Sequence, residues 1–346
     1  SITTIAVSLI AVRWLLPPEA YPPHVQLIAC SPVPGNQSVV VLGTTRAQRL
    51  RDGRTLGLWW QDWSTEPSTE RLLCPPGIPT CFAIHPASGR LFMGDSAGGI
   101  VILPFPPRAN RFSRSGDGFI LGHAPQGQPC QLGCSRDGNL LVVRDIAGLA
   151  AWDVHPKKSF QVRWYRADST LSSFVLDPGE RTLVCGRLCR GQTEVVEIDV
   201  ATGELRSVIA ISPATQLIDM VLSHHGKFLA VVENTGRANL LERQAVADDW
   251  RPRSVPGLDD RDTRVACFAP RADWLITSDS SKRCFVKWDL KGEVAPWEFG
   301  FHQSKVTGCA FLNDDRLLSW GAGDTIRIWD VNEGTLDRCI GVGRGH

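Results

Sequence analysis

The stretch GDTIRIWDVNEGTL, residues 323–336, carries the pattern on which the fold of this protein depends. Ile326 and Ile328 alternate with polar residues, as expected of a β-strand with one buried face. Trp329 and Asp330 end the strand, and a turn follows. The same order of strand, aromatic–acidic pair and turn is found earlier in the chain. The stretch is therefore one copy of a repeat.

An apolar strand, a short polar turn and a second apolar strand recur seven times. The residues directly before the turns are Cys30, Ile84, Cys134, Leu176, Leu222, Phe268 and Phe311. Their successive separations are 54, 50, 42, 46, 46 and 43 residues. A third strand and a fourth apolar stretch follow each hairpin. This period predicts seven four-stranded antiparallel sheets.

Trp-Asp pairs end the third strand at residues 152–153, 288–289 and 329–330. The pattern resembles the WD-repeat β-propeller family, whose repeat of about 40–45 residues ends in the same pair. The resemblance covers residues 20–340 and implies an all-β fold, a seven-bladed β-propeller of four-stranded antiparallel blades. Within a domain at 20–346, the expected blades are 20–69, 70–116, 117–158, 159–204, 205–250, 251–294 and 295–340.

The resemblance also implies a hydrogen-bonded network in each blade, formed by a histidine, a serine or threonine, an aspartate and a tryptophan. The matching residues are His302, Ser319, Asp324 and Trp329 in the seventh unit, His123, Asp145 and Trp152 in the third, and Asp279 and Trp288 in the sixth, which lacks the histidine. We interpret these residues as structural, because a buried carboxylate or indole N–H without a partner costs about 1–3 kcal/mol.

Residues 1–19 precede the repeats, and their apolar part, SITTIAVSLIAV, is too short for a complete membrane helix of about 20 residues. Two interpretations stay open: a strand that closes the ring of blades, or the remnant of a membrane anchor or linker. Residues 335–340, TLDRCI, compete with residues 5–16 for the outer position of the first blade. The N-terminal segment is favoured because it is longer and richer in β-branched residues.

Charge and cysteine content narrow the classes of partner and compartment. The 346 residues include 37 Lys and Arg against 36 Asp and Glu, so no nucleic-acid partner is expected. The 11 cysteines lie mostly in apolar strands and do not form a disulfide scaffold, which favours an intracellular, reducing compartment. A membrane-anchored protein is the alternative, and a membrane partner is expected only in that case.

GDSAGG, residues 94–99, resembles the nucleophile motif of trypsin-like serine proteases. Such a serine needs a histidine base, and neither His24 nor His85 has matching flanks. Ser96 is also predicted to lie in a turn. The spacings of His224-His225, Cys130/Cys134 and Cys185/Cys189 do not indicate a metal site. We therefore predict no catalytic residue, no metal, no cofactor and no small-molecule substrate.

Two connecting segments, 104–118 and 245–264, are candidate recognition elements because function concentrates on loops held by a rigid scaffold. Arg108, Arg111, Arg114 and Trp250 are the candidate contacts. The lead hypothesis is a non-catalytic scaffold that binds other proteins, as a module of a larger protein or a subunit of a complex. The alternatives are a membrane-anchored extracytoplasmic sensor, and an enzyme or small-molecule binder that uses the central channel.

Overall fold

The computed structural model is built entirely from short antiparallel strands in the residues that it describes. Those residues are 26–32, 38–45, 55–62, 69–73, 78–85, 90–104, 119–154, 160–213, 215–245, 249–271, 273–302, 305–321 and 325–341. No helix in these ranges has the length and apolar character needed to cross a bilayer.

Within each sheet every strand pairs with the next one along the chain, so every sheet is an up-and-down meander of four strands. The first two sheets comprise β1 (Gln26–Pro32), β2 (Ser38–Thr45), β3 (Thr55–Asp62) and β4 (Thr69–Leu73), then β5 (Pro79–His85), β6 (Arg90–Asp95), β7 (Gly99–Pro104) and β8 (Phe119–His123). The next two comprise β9 (Pro129–Cys134), β10 (Leu140–Asp145), β11 (Gly148–Asp153) and β12 (Gln161–Ala167), then β13 (Leu171–Leu176), β14 (Thr182–Cys189), β15 (Gln192–Asp199) and β16 (Leu205–Pro213).

The remaining sheets follow the same order. They comprise β17 (Leu217–Leu222), β18 (Phe228–Glu233), β19 (Ala238–Glu242) and β20 (Arg251–Arg253), then β21 (Ala266–Phe268), β22 (Trp274–Asp279), β23 (Cys284–Asp289) and β24 (Trp297–Phe299), and lastly β25 (Val306–Phe311), β26 (Arg316–Gly321), β27 (Thr325–Asp330) and β28 (Leu336–Gly341).

The prediction of seven equivalent blades needs correction, because six four-stranded blades are described with their side chains. These six blades contain strands β5 to β28. Strands β1 to β4 pair as a further sheet, with β1 beside β25 and β3 beside β5. The side chains of that sheet lie outside the described residues. The described hydrophobic core is therefore that of the six blades β5 to β28.

Neighbouring blades pack face to face through apolar side chains. Leu149 of one blade and Phe174 and Leu183 of the next share one cluster, and Phe285 and Trp329 share another further round the ring. The first strands of successive blades lie side by side at the centre. Alternate residues of each strand supply these faces, which is why the period of two in the sequence is informative.

The segment TLDRCI does not complete the first blade, a position for which it was one of two candidates. Its strand, β28, pairs with β27 as the outer strand of the last blade. The outer strand of the N-terminal sheet is β4, which pairs with β3. Four strands that follow one another along the chain therefore suffice for each sheet. Residues 1–19, the other candidate for that position, lie outside the described residues.

Candidate interaction face

The meander topology brings two kinds of chain segment to the same end of every blade. The turn between the second and third strands leaves from that end, and so does the connection from the fourth strand to the next blade. We call this side, formed by those turns and connections, the upper face. The turns between first and second and between third and fourth strands form the opposite, lower face.

Buried aspartates order the turns of the upper face. Asp95 Oδ1 accepts hydrogen bonds from the amides of Ala97 and Gly99, at 2.9 and 2.7 Å. Asp145 and Asp279 do the same in their own turns, and each is no more than 2% exposed. A carboxylate that accepts several amide hydrogen bonds fixes the turn backbone and is itself satisfied.

Backbone hydrogen bonds also join several of these turns to the neighbouring connections. The Ser96 amide donates to Ile78 O at 2.9 Å. The Ala124 amide donates to Gly98 O at 2.8 Å, and the Thr263 amide donates to Gly236 O at the same distance. These parts of the upper face are consequently cross-linked and offer a preorganised surface.

Among the described residues of the upper face, four large apolar side chains are well exposed. They are Ile78 (54%), Ile146 (65%), Leu188 (42%) and Phe301 (66%). Three of them, which we call the apolar arc, fall in three consecutive blades: Ile78 before β5, Ile146 between β10 and β11, and Leu188 near the end of β14. The face also carries ion pairs: Arg166–Asp168 at the end of β12, Arg264–Asp262 before β21, and Lys282–Glu298 in the β21–β24 blade.

The structure brings together three of the four residues predicted for the network of the last blade. His302 Nε2 lies 2.7 Å from Ser319 Oγ, and the Trp329 indole N–H donates to the same oxygen at 2.8 Å. All three side chains are buried. Burial lowers the pKa of His302 to about 4, with a smaller contribution from the positive charge of Arg327. The fourth residue, Asp324, lies outside the described residues.

The two other predicted networks are not assembled in the same way. His123, the last residue of β8, is exposed, and in the β9–β12 blade the buried indole nitrogen of Trp152 has no hydrogen-bond partner among the described residues. Asp145 serves its turn and also accepts from the Gln126 amide at 3.0 Å. In the β21–β24 blade the Trp288 indole donates to Thr277 Oγ1 at 2.9 Å, without Asp279.

Trp250, predicted to be an exposed partner contact, is instead buried, with 3% of its surface accessible. Its indole donates to Glu197 Oε1 at 2.8 Å, and the Arg243 guanidinium lies 4.3 Å from the ring centroid. The prediction was wrong because Glu197 belongs to the neighbouring blade, 53 residues away in sequence. Segment 245–264 is likewise not a free loop, since Leu258 and Thr263 are also buried.

An ionic cluster around Arg243 was missed by the sequence analysis. Arg243 is 2% exposed and donates to Asp177 Oδ1 at 2.6 Å and Glu197 Oε1 at 3.0 Å. Its amide makes the backbone bond that the corresponding residue makes in four other blades, namely Val154, Val200, Leu290 and Val331. The signal that was available is this one charged residue at a position that is otherwise apolar.

The remaining candidates of the sequence analysis fall at separate places. Arg108, Arg111 and Arg114 lie outside the described residues. Ser96 is exposed in the turn between β6 and β7, as its pattern predicts. His224 and His225 contact each other edge to face in a turn of the lower face. The described part of the chain contains no cluster of three or more His, Cys, Asp or Glu suited to a metal ion.

Comparison with known proteins identifies the architecture. Sqt1 from Chaetomium thermophilum, solved bound to the N-terminus of the ribosomal protein L10, is similar with a TM-score of 0.64 and 13% identity over 92% of this chain and 87% of that one. The fold is a β-propeller. Hydrazine synthase from Kuenenia stuttgartiensis is also similar, with a TM-score of 0.62 and 13% identity over 96% and 100% of the two chains. No protein-family model and no curated protein sequence matches this chain.

At 13% identity these similarities establish the fold alone. The two neighbours also differ in kind, because one is a propeller bound to a ribosomal protein segment and the other belongs to an enzyme. A function for this chain therefore has to be argued from its own surface, and the upper face, with its exposed apolar residues, is the candidate.

Proposed function

We propose that this protein is a protein-interaction module that docks a partner on its upper face. The observation that carries the proposal is the apolar arc, Ile78, Ile146 and Leu188, on a backbone that hydrogen bonds hold in place. The free energy falls when a partner covers exposed apolar groups, and a fixed backbone loses little conformational entropy on binding.

The chemistry of the arc favours a partner that offers apolar side chains. The turns and connections that carry it also contain exposed small and polar residues, Ser96, Ala97, Ser169 and Thr170, together with Arg190 beside Leu188. An apolar centre with a polar rim is typical of a protein interface. The structure of Sqt1 with the N-terminus of a ribosomal protein supports the proposal, since it shows a propeller of this fold with a protein segment bound.

Replacement of exposed apolar residues by arginine, on the upper and on the lower face, tests the proposal. The parent chain is used as bait in a cell extract, and its recovered partners are quantified by mass spectrometry. Ile146→Arg and Leu188→Arg are expected to lower partner recovery at least about tenfold, because a charge would be desolvated in the interface. Val294→Arg is the matched control, since Val294 is 55% exposed on a lower-face turn.

The outcome that contradicts the proposal is equal recovery with the parent and both upper-face variants, or an equal loss with Val294→Arg. Melting curves of all variants accompany the recovery measurements. They separate a lost contact from a lost fold.

A further inference from the structure

Two cysteine sulfur atoms from neighbouring blades lie almost in bonding distance at the centre of the molecule. Cys267 is in β21 and Cys309 is in β25, and their Sγ atoms are 3.2 Å apart. Both are free thiols. A disulfide has a sulfur–sulfur distance of about 2.05 Å, so the pair would need to close by only about 1 Å.

Side-chain hydrogen bonds link the first strands of neighbouring blades at three other junctions. Thr80 Oγ1 donates to Pro129 O at 2.8 Å. Gln131 Nε2 donates to Phe174 O at 2.8 Å. Asp219 Oδ2 accepts from the Ala266 amide at 3.1 Å. In each case a side chain of one first strand forms a hydrogen bond to the first strand of the next blade.

At the β21–β25 junction two thiols are in contact instead, and a thiol is a weak donor and a weak acceptor. The pair therefore holds the two blades together less strongly than the hydrogen bonds at the other three junctions, unless the sulfurs are covalently joined. We propose that Cys267 and Cys309 form a reversible disulfide site, a covalent latch between the β21–β24 and β25–β28 blades.

The order of the chemistry follows from exposure. Cys309 is partly exposed, whereas Cys267 is 8% exposed. Hydrogen peroxide oxidises the Cys309 thiol to a sulfenic acid and is reduced to water. The Cys267 sulfur then attacks the Cys309 sulfur and expels a second water, so two thiols and one peroxide give one disulfide and two waters. A dithiol reductant reverses the bond by exchange.

Burial sets the rate of this reaction. It raises the pKa of Cys267 well above its ordinary value, and the Cys309 thiol and the Asp219 carboxylate act in the same direction. The attacking thiolate is therefore scarce, and closure is slow without sustained oxidant. The short separation compensates, because the second step is intramolecular.

Peptide mapping tests the proposal directly on the full chain. The reduced protein is treated with hydrogen peroxide, blocked with an alkylating agent and digested with trypsin without reductant. Each cysteine falls in its own tryptic peptide, VACFAPR at 265–271 and VTGCAFLNDDR at 306–316. We expect these two peptides to be recovered as one cross-linked species from most of the protein, and as separate peptides after dithiothreitol.

Thermal unfolding supplies a second readout. Oxidation is expected to raise the melting temperature of the parent by about 5 °C, reversibly, because the bond closes a long loop. Cys309→Ser is expected to abolish this rise. Cys339→Ser is the control, since Cys339 is an exposed cysteine elsewhere in the chain, and the rise should persist.

The proposed disulfide would be overturned by the following result: alkylation shows that the oxidant has modified Cys339, while the 265–271 and 306–316 peptides stay separate. A cross-linked species without any rise in melting temperature would overturn its role as a latch. The mapping uses the parent protein, so it remains decisive if a serine variant fails to fold.

Discussion

The hydroxyl of Ser319 joins buried groups from two different segments of the last blade. It accepts from the Trp329 indole and lies within hydrogen-bond distance of His302 Nε2. Ser319→Ala is expected to lower the free energy of unfolding by about 2–4 kcal/mol, because two buried polar groups lose their partner. Urea denaturation measures the loss. Ser96→Ala, in an exposed turn, should change stability by less than about 0.5 kcal/mol, and equal effects would contradict the network.

The low pKa of His302, about 4, makes stability depend on pH in a defined direction. An unfolded histidine titrates near pH 6.5, so the unfolded chain takes up a proton first as the pH falls. The contribution of His302 is complete above about pH 6.5 and is lost as the pH falls through 4. Its size is on the order of 3 kcal/mol.

Comparison of the parent with His302→Gln between pH 4 and 7 checks this dependence. The variant is expected to lose less stability on acidification than the parent. The comparison is needed because burial raises the pKa of Asp219 to about 6, which gives the opposite trend: stability that falls as the pH rises through 6. Parallel pH curves for the two proteins would show that His302 titrates normally in the folded state.

At the scale of single residues, the sequence could indicate candidates but not their surroundings. Trp329 and Ser319 meet because their strands pair in register, with Leu317 opposite Trp329. The sequence matches His123 to the same network position as His302, yet His123 is exposed at the end of β8. Trp250 stands among charged residues in sequence and is nevertheless buried, because its partner Glu197 comes from another blade.

At the scale of elements, the ionic cluster of Arg243, Asp177 and Glu197 joins the β13–β16 and β17–β20 blades. Arg243→Leu is expected to destabilise the protein by about 3–5 kcal/mol, because it leaves two carboxylates without their cation in the interior. Chemical denaturation followed by tryptophan fluorescence measures the change.

The triple variant Asp177→Asn, Glu197→Gln and Arg243→Leu is the matched control. It restores an apolar side chain like that of Val200 or Leu290 and removes both charges together. We expect it to recover most of the stability that Arg243→Leu loses, since neutral replacement of a buried ion pair costs little. A triple variant as unstable as the single one would show that the arginine acts through its shape.

The strands themselves could be predicted from the period of two and the intervening turns. The period could not decide to which sheet a fourth strand belongs. The sequence of β28 fits the outer position of the first blade and of the last blade equally well. Pairing with the adjacent β27 requires no long connection, and the structure shows this pairing. The prediction of seven equivalent blades and the six blades described with their side chains differ in the N-terminal sheet, β1 to β4. The sequence of that sheet also lacks the Trp-Asp pair.

At the scale of the whole molecule, the ring of blades separates two faces by topology alone. The upper face carries the apolar arc and Phe301, whereas Val294 is exposed on a turn of the lower face. No single stretch of sequence could predict the arc, since Ile78, Ile146 and Leu188 come from three blades and become neighbours in a series only when those blades pack in order.

The most direct measurement is site-specific photo-crosslinking. A benzophenone amino acid replaces Ile146 or Leu188 on the upper face, or Val294 on the lower face, and each protein is irradiated in cell extract. We predict that the partner recovered with the parent chain is crosslinked from positions 146 and 188 and not from 294. Crosslinking of that partner from 294 alone, or from all three positions equally, would contradict a docking surface on the upper face.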